Sequence, residues 1–193
     1  MISRRACVTA IAASAALLMA APTILRAEEG ETLLAPRFRR RRVSLRGEYE
    51  VGRILVTPAS HFLYHVVAPG EAIRYGVGVG REGLTFRGEA VVGAKRKWPS
   101  WRPTDEMIAR NPREYARFRE DPDYVMPGGP DNPLGARALY LYRNGRDTYY
   151  RIHGTNAPET IGRSVSNGCI RMLNEHVIEL YDKVPIGTPV TVF

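Results

Sequence analysis

From Val51 onward the chain alternates short apolar runs with turn residues, and this spacing constrains the fold more than any other feature of the sequence. Residues 53–56, 61–67 and 72–79 are separated by Thr57-Pro58-Ala59-Ser60 and Pro69-Gly70-Glu71. Runs of this length bounded by Pro and Gly predict strands in a β-meander. Further on, residues 137–142 and 147–153 flank Arg143-Asn144-Gly145-Arg146. Asn-Gly supplies the positive φ angles of a type I′ turn, so a hairpin is expected, with His153 at its end.

Two helical segments interrupt the strands. Asn111 is placed to cap a helix with Pro112 at its first position and Glu114 completing a capping box, and Tyr115 and Phe118 share one face. This insert, residues 104–120, is positioned to cover a cleft. Asn174 is expected to cap a second helix, in which Val177, Leu180, Tyr181 and Val184 recur at helical spacing before Pro185 stops it. A last strand is expected over residues 189–193. With 193 residues, 44% hydrophobic and 25% charged, the chain supports one sizeable core and excludes wholesale disorder or a polytopic membrane protein. The expectation is one mainly-β domain over residues 49–193 with peripheral helices.

The N-terminal region has a different composition. Arg4 and Arg5 precede an Ala/Leu-rich stretch over residues 8–21, and no acid occurs before Glu28, the pattern of a secretory signal peptide over residues 1–27. Ser3-Arg4-Arg5 leaves both the general and the twin-arginine export routes open. Removing residues 1–27 takes away three arginines and no acid, so the net charge falls from +8 to +5. Much of that excess sits in a basic arm over residues 28–48, in Arg37, Arg39, Arg40, Arg41, Arg42 and Arg46. Such an arm either contacts an anionic envelope polymer or is a solvated tail. Nucleic acid is a poor partner for an exported protein, and nothing after residue 27 is apolar enough to span a bilayer. The expected location is the periplasm or cell envelope.

Cysteine usage narrows the chemistry. Cys7 leaves with the signal, so the mature chain keeps Cys169 and forms no internal disulfide. One thiol in an oxidising compartment is either reactive, bridged to another chain, or packed and inert. Other motif matches carry less. Gly78-Val79-Gly80-Arg81-Glu82-Gly83 fits the dinucleotide-binding pattern, but strand-like residues follow it where a helix N-terminus is required. His61 and His65, four residues apart on a strand, stand about 13 Å from each other, too far to share an ion. They are expected as half-exposed strand residues and His176 as a surface residue of the last helix. A zinc site needs three or four convergent ligands, and the sequence offers no such cluster.

The segment from Ile152 to Met172 is different in kind, with Ile152-His153-Gly154-Thr155-Asn156 followed by Ser166-Asn167-Gly168-Cys169-Ile170-Arg171-Met172. A free thiol with pKa about 8.5 is mostly protonated at neutral pH, so a cysteine nucleophile needs a base such as imidazole within reach. His153 supplies one if the loop folds back. Gly168 permits close backbone approach, and amides around Cys169 can form an oxyanion hole.

These residues resemble the signature of L,D-transpeptidase catalytic domains of the YkuD or ErfK/YbiS type. The similarity extends through residues 76–80, Trp98-Pro99-Ser100-Trp101, residues 126–130 and Asn132-Pro133-Leu134-Gly135, and covers roughly residues 49–193. One departure is that many members have His where this chain has Asn167. The resemblance implies a mainly-β sandwich of mixed sheets with peripheral helices, acting on peptidoglycan stem peptides without a metal or organic cofactor. It makes Cys169 the nucleophile, His153 the general base and the Gly154 carbonyl its orienting group. Ser166, Asn167 and Gly168 line the site, with the Gly168 and Cys169 amides as oxyanion donors. Arg171 either pairs with a substrate carboxylate or braces the loop. The acyl acceptor is left open between a diamino acid of a neighbouring stem, a lysine of an envelope protein and water, the last making a carboxypeptidase. The competing class is a catalytically silent envelope-binding module.

Overall fold

The computed structural model describes residues 34–193, so the expected signal peptide and the first residues of the basic arm lie outside the described region. Within the described residues eleven strands occur in chain order: β1 (Arg41–Ser44), β2 (Ile54–Thr57), β3 (Phe62–Ala68), β4 (Glu71–Gly76), β5 (Val79–Gly80), β6 (Gly88–Lys97), β7 (Arg137–Arg143), β8 (Arg146–His153), β9 (Ser164–Ser166), β10 (Ile170–Arg171) and β11 (Pro189–Val192). Among the described residues three α-helices accompany them: α1 (Asp105–Arg110), α2 (Ala116–Glu120) and α3 (Asn174–Lys183).

The expected mixed sheets take the form of one nine-stranded sheet, in the order β1-β4-β3-β2-β11-β6-β7-β8-β10, and a two-stranded sheet of β5 and β9. β2 and β11 pair in parallel, as do β8 and β10, whereas the other pairs of the large sheet are antiparallel. Ile54, Leu55 and Val56 of β2 are all buried, as a strand covered on both faces requires. Both halves of the sheet contribute to one core, in which Ile54, Val56, Leu63 and Tyr75 join Leu139, Leu141, Ile152 and Met172. Val177, Leu180 and Val184, from α3 and its end, close that core.

The hairpin forms where expected, with Asn144 at φ 51° and Gly145 at φ 74° between β7 and β8. The first helix of the insert begins earlier than the Asn111 cap expected from the sequence. Thr104, not Asn111, caps a helix by accepting a bond from the Met107 N–H, and Asp105 and Glu106 supply favourable charge in the first turn. Asn111 ends that helix, and α2 starts after Tyr115. Tyr115 and Phe118 are buried together as expected. They pack edge-on against Trp101, with ring centroids 6.0 and 5.3 Å away, and fix the insert to the body.

Several expectations about exposure are overturned. Residues 34–44 of the basic arm are built into the fold: β1 pairs with β4, Phe38 is buried with Leu34, Ile161 and Leu173, and Arg40 reaches Glu179 on α3 at 2.6 Å. An apolar Leu34 and Phe38 among the arginines gave this segment something to bury. His65 is buried because it faces inward on β3, and His176 is buried against the Tyr75 ring at 5.4 Å. His61 precedes β3 in a left-handed conformation and meets Ser164 Oγ at 2.9 Å. The glycine-rich run at residues 78–83 forms β5 and a turn with no helix after it.

Candidate active site

β8 and β10 run side by side, with Ile152 opposite Ile170 and His153 opposite Arg171. Successive side chains on a strand alternate faces, so Ile152 and Ile170 point to the core while His153, Arg171 and Cys169, one residue before β10, share the other face. Strand spacing puts the Cα atoms of Cys169 and His153 about 8 Å apart, within the combined reach of their side chains. All three line a cleft of ≈ 1110 Å³. One wall of the cleft is α1 with Tyr115, and the other carries Leu84, Tyr149 and Tyr150.

His153 is buried, and its Nδ1 lies 2.6 Å from the Gly154 carbonyl. A carbonyl only accepts, so Nδ1 carries the proton and Nε2 is left with a free lone pair. Burial, with the Arg171 and Arg151 charges adding, pushes the imidazole pKa down to about 3 against a partial pull from the Gly154 and Leu134 carbonyls. At neutral pH the ring is an uncharged base.

Cys169 keeps partial exposure to the cleft. Its crowded surroundings push the thiol pKa up, although the Arg151 amide and the Arg151 and Arg171 charges pull it down. The Cys169 Sγ–H donates to the Tyr149 carbonyl at 3.9 Å. That carbonyl is aimed by a β-bulge. Tyr140 and Tyr142 of β7 pair with Arg151 and Asp147 of β8, which leaves three β8 residues opposite one. Tyr149 adopts φ 62°, its N–H donates to Asp147 Oδ1 at 2.8 Å, and Thr148 Oγ1 donates to the Leu141 carbonyl at 2.6 Å. The sequence offered no sign of this bulge. Tyr149 and Tyr150 line the cleft, as does Trp101, whereas Trp98 does not.

The nucleophile turn is tied from within. Buried Ser166 donates its Oγ–H to the Cys169 carbonyl at 2.7 Å and accepts the Gly168 N–H at 3.1 Å. The Gly168 N–H, expected as an oxyanion donor, is engaged within the turn. Its φ of 124° and the absence of a Cβ let Tyr150 and the Leu84 carbonyl approach. Asn167 Oδ1 accepts from Arg110 Nη2 at 3.2 Å, and its side chain also bonds Tyr115, so the residue joins the turn to the insert.

Arg171 lies at the cleft floor with its Nε buried and unpartnered, and it makes no salt bridge to the described residues. Its backbone is fixed by reciprocal bonds with Gly78 at 2.8 and 2.9 Å. Arg151, by contrast, is held by Asp147 through both guanidinium nitrogens, at 2.7 and 2.8 Å.

A mainly-β body that brings a cysteine just before one strand beside a carbonyl-bonded histidine at the end of its neighbour makes up the candidate site. The chain belongs to the YkuD family, the L,D-transpeptidase catalytic domain, which matches residues 52–192. It is 37% identical over 141 residues to "Probable L,D-transpeptidase YbiS" of Escherichia coli K12, covering 72% of this chain and 43% of that protein. The chain thus spans less than half the length of that relative. A crystal structure titled "Probable carnitine operon oxidoreductase caia", from Brucella melitensis, is 50% identical with a TM-score of 0.55, covering 86% of this chain and 99% of that one. L,D-transpeptidase 3 of Mycobacterium tuberculosis shares the fold at 18% identity and a TM-score of 0.51, over 74% of this chain and 61% of its own.

Proposed function

We propose that this protein is an exported peptidoglycan L,D-transpeptidase with Cys169 as nucleophile and His153 as general base. The observation that carries the reading is the Nδ1 contact of His153 with the Gly154 carbonyl, which leaves Nε2 basic in the cleft that Cys169 enters. A raised thiol pKa and a lowered imidazole pKa make the resting pair neutral, so proton transfer accompanies attack instead of preceding it.

The thiol sulfur adds to the carbonyl between the third stem residue and the terminal D-Ala, and its proton passes to His153 Nε2. The Cys169 N–H, with the Gly168 amide engaged elsewhere, serves the oxyanion. Collapse of the intermediate breaks the C–N bond, Nε2 returns the proton to the departing amine of D-Ala, and a thioester stays on Cys169. An acceptor amine then attacks the thioester and restores the thiol. Arg171, which forms no salt bridge among the described residues and keeps its buried Nε unpartnered, binds a stem carboxylate in the cleft. Ser166 shapes the turn, and Asn167 joins it to the insert.

The test is mass spectrometry of the products formed from a disaccharide tetrapeptide by the wild type and by Cys169→Ala. Release of D-Ala by the wild type alone is expected, with a cross-linked dimer as product. A tripeptide in place of the dimer identifies water as the acceptor and a carboxypeptidase. Release by a folded Cys169→Ala protein overturns the mechanism, and no release by a folded wild type favours a silent envelope-binding module.

A further inference from the structure

Asn174 was expected to cap α3, but the residue at the cap position is Leu173, and the Asn174 side chain turns away from its own helix. Its Oδ1 accepts the Ala136 N–H at 2.9 Å, and its Nδ2 donates to the Thr155 carbonyl at 3.0 Å. One amide thus bridges the segment that enters β7 and the segment that leaves β8. The peptide between those bonds joins Gly154 to Thr155, and its carbonyl is the one that accepts His153 Nδ1.

The fit around that peptide is close. A Cβ at Gly154 or at Gly135 would collide with Asn174 Oδ1, and one at Gly135 would also stand 2.5 Å from the Thr155 nitrogen and 2.7 Å from the Gly154 carbonyl carbon. Gly135 holds φ 62°, which a side chain would strain. The Gly154 N–H is engaged by the Arg137 carbonyl at 3.0 Å, and the His153 carbonyl by the Met172 N–H at 2.8 Å. The Gly154–Thr155 peptide is therefore pinned on both sides, with the Asn174 amide holding it from α3.

We infer that Asn174 is a positioning residue for the base: it fixes the Gly154 carbonyl, and through that carbonyl the tautomer and ring orientation of His153. The inference rests on the reading of His153 as the base. An acceptor held in place keeps the proton on Nδ1, and a loosened acceptor lets the Nε2–H tautomer compete, in which the nitrogen facing the cleft has no lone pair to offer.

The experiment uses the wild type, Asn174→Ala and the isosteric Asn174→Asp, each checked for folding by near-UV circular dichroism. The His153 tautomer is read from ring nitrogen chemical shifts, alongside kcat and KM for D-Ala release. The wild type is expected to show the Nδ1–H form. Asn174→Ala is expected to mix the tautomers and lower kcat about tenfold to a hundredfold while KM stays within about twofold. Asn174→Asp keeps the acceptor for Ala136 but sets a carboxylate against the Thr155 carbonyl, so it also mixes the tautomers at neutral pH and regains the Nδ1–H form when the carboxyl is protonated. This variant decides the matter if Asn174→Ala does not fold. A folded Asn174 variant with the wild-type tautomer and kcat overturns the inference. An Nε2–H tautomer in the wild type itself overturns the assignment of His153, a separate failure seen before any variant is made.

Discussion

Arg110 on α1 donates to Asn167 on the nucleophile turn across 3.2 Å, and this contact latches the insert over the cleft. A partly exposed bond from a charged donor is worth roughly 1 kcal/mol. Arg110→Ala is expected to raise KM for the tetrapeptide about fivefold and to leave kcat nearly unchanged, as steady-state kinetics will show. A fall in kcat with KM unchanged would place the contact in the chemistry instead of in substrate retention.

The thiol should alkylate slowly at neutral pH. With its pKa raised by burial, the rate of modification by iodoacetamide is expected to climb about tenfold per pH unit from pH 7 to 9 without a plateau. Mass spectrometry of Cys169 follows the reaction, and a plateau near pH 7 would refute the neutral resting pair. Slow labelling at neutral pH thus fits an active enzyme as well as a packed, inert thiol, and only the product assay separates the two.

Stability should fall on acidification in part because of His153. Its folded pKa of about 3 lies below the ordinary 6.5, so between these values the unfolded chain binds more protons and unfolding is favoured as pH drops. The slope attributable to this residue is at most about 1.4 kcal/mol per pH unit. His153→Gln is expected to flatten the decline between pH 6.5 and 5 in urea titrations. An unchanged slope would show that the histidine is protonated at little cost. Glu179, held down to about 2 by Arg40 and Lys183 against its burial, adds a loss below pH 4.5.

Gly168→Ala should disrupt the site by shape alone. A Cβ there would sit 2.5 Å from Tyr150 and 2.7 Å from the Leu84 carbonyl, at φ 124°. A destabilisation of about 2–4 kcal/mol is expected in denaturant unfolding. A variant of wild-type stability would mean that the turn shifts freely.

Phe38→Ala tests whether the basic segment belongs to the fold. The ring is buried with Leu34, Ile161 and Leu173 and occupies the space a Cβ on Gly162 would need. A loss of about 3 kcal/mol is expected. A change under about 0.5 kcal/mol would return the segment to the status of a solvated arm.

The strands and the Asn144-Gly145 hairpin were legible because local periodicity and turn chemistry determine them, and the order of His153 and Cys169 pointed to two residues that line one cleft. Less legible were properties set by partners far along the chain. His65 and His176 read as polar, yet β3 turns His65 inward and the Tyr75 ring packs against His176. Asn174 has the look of a helix cap, but its partners at Ala136 and Thr155 are brought together only by the hairpin. The bulge at Tyr149 depends on how two strands register, which neither strand encodes alone. Thr104 outcompeted Asn111 as a cap because two acids follow it in the first turn.

β11 lies between β2 and β6, so the strands nearest the C-terminus join two halves of a sheet formed much earlier in the chain. Until residues 189–192 arrive, β2 and β6 present unpaired backbone and the shared core cannot close. Synthesis of this domain is therefore nearly complete before cooperative folding can begin, and a nascent chain stays open to whatever machinery engages it first.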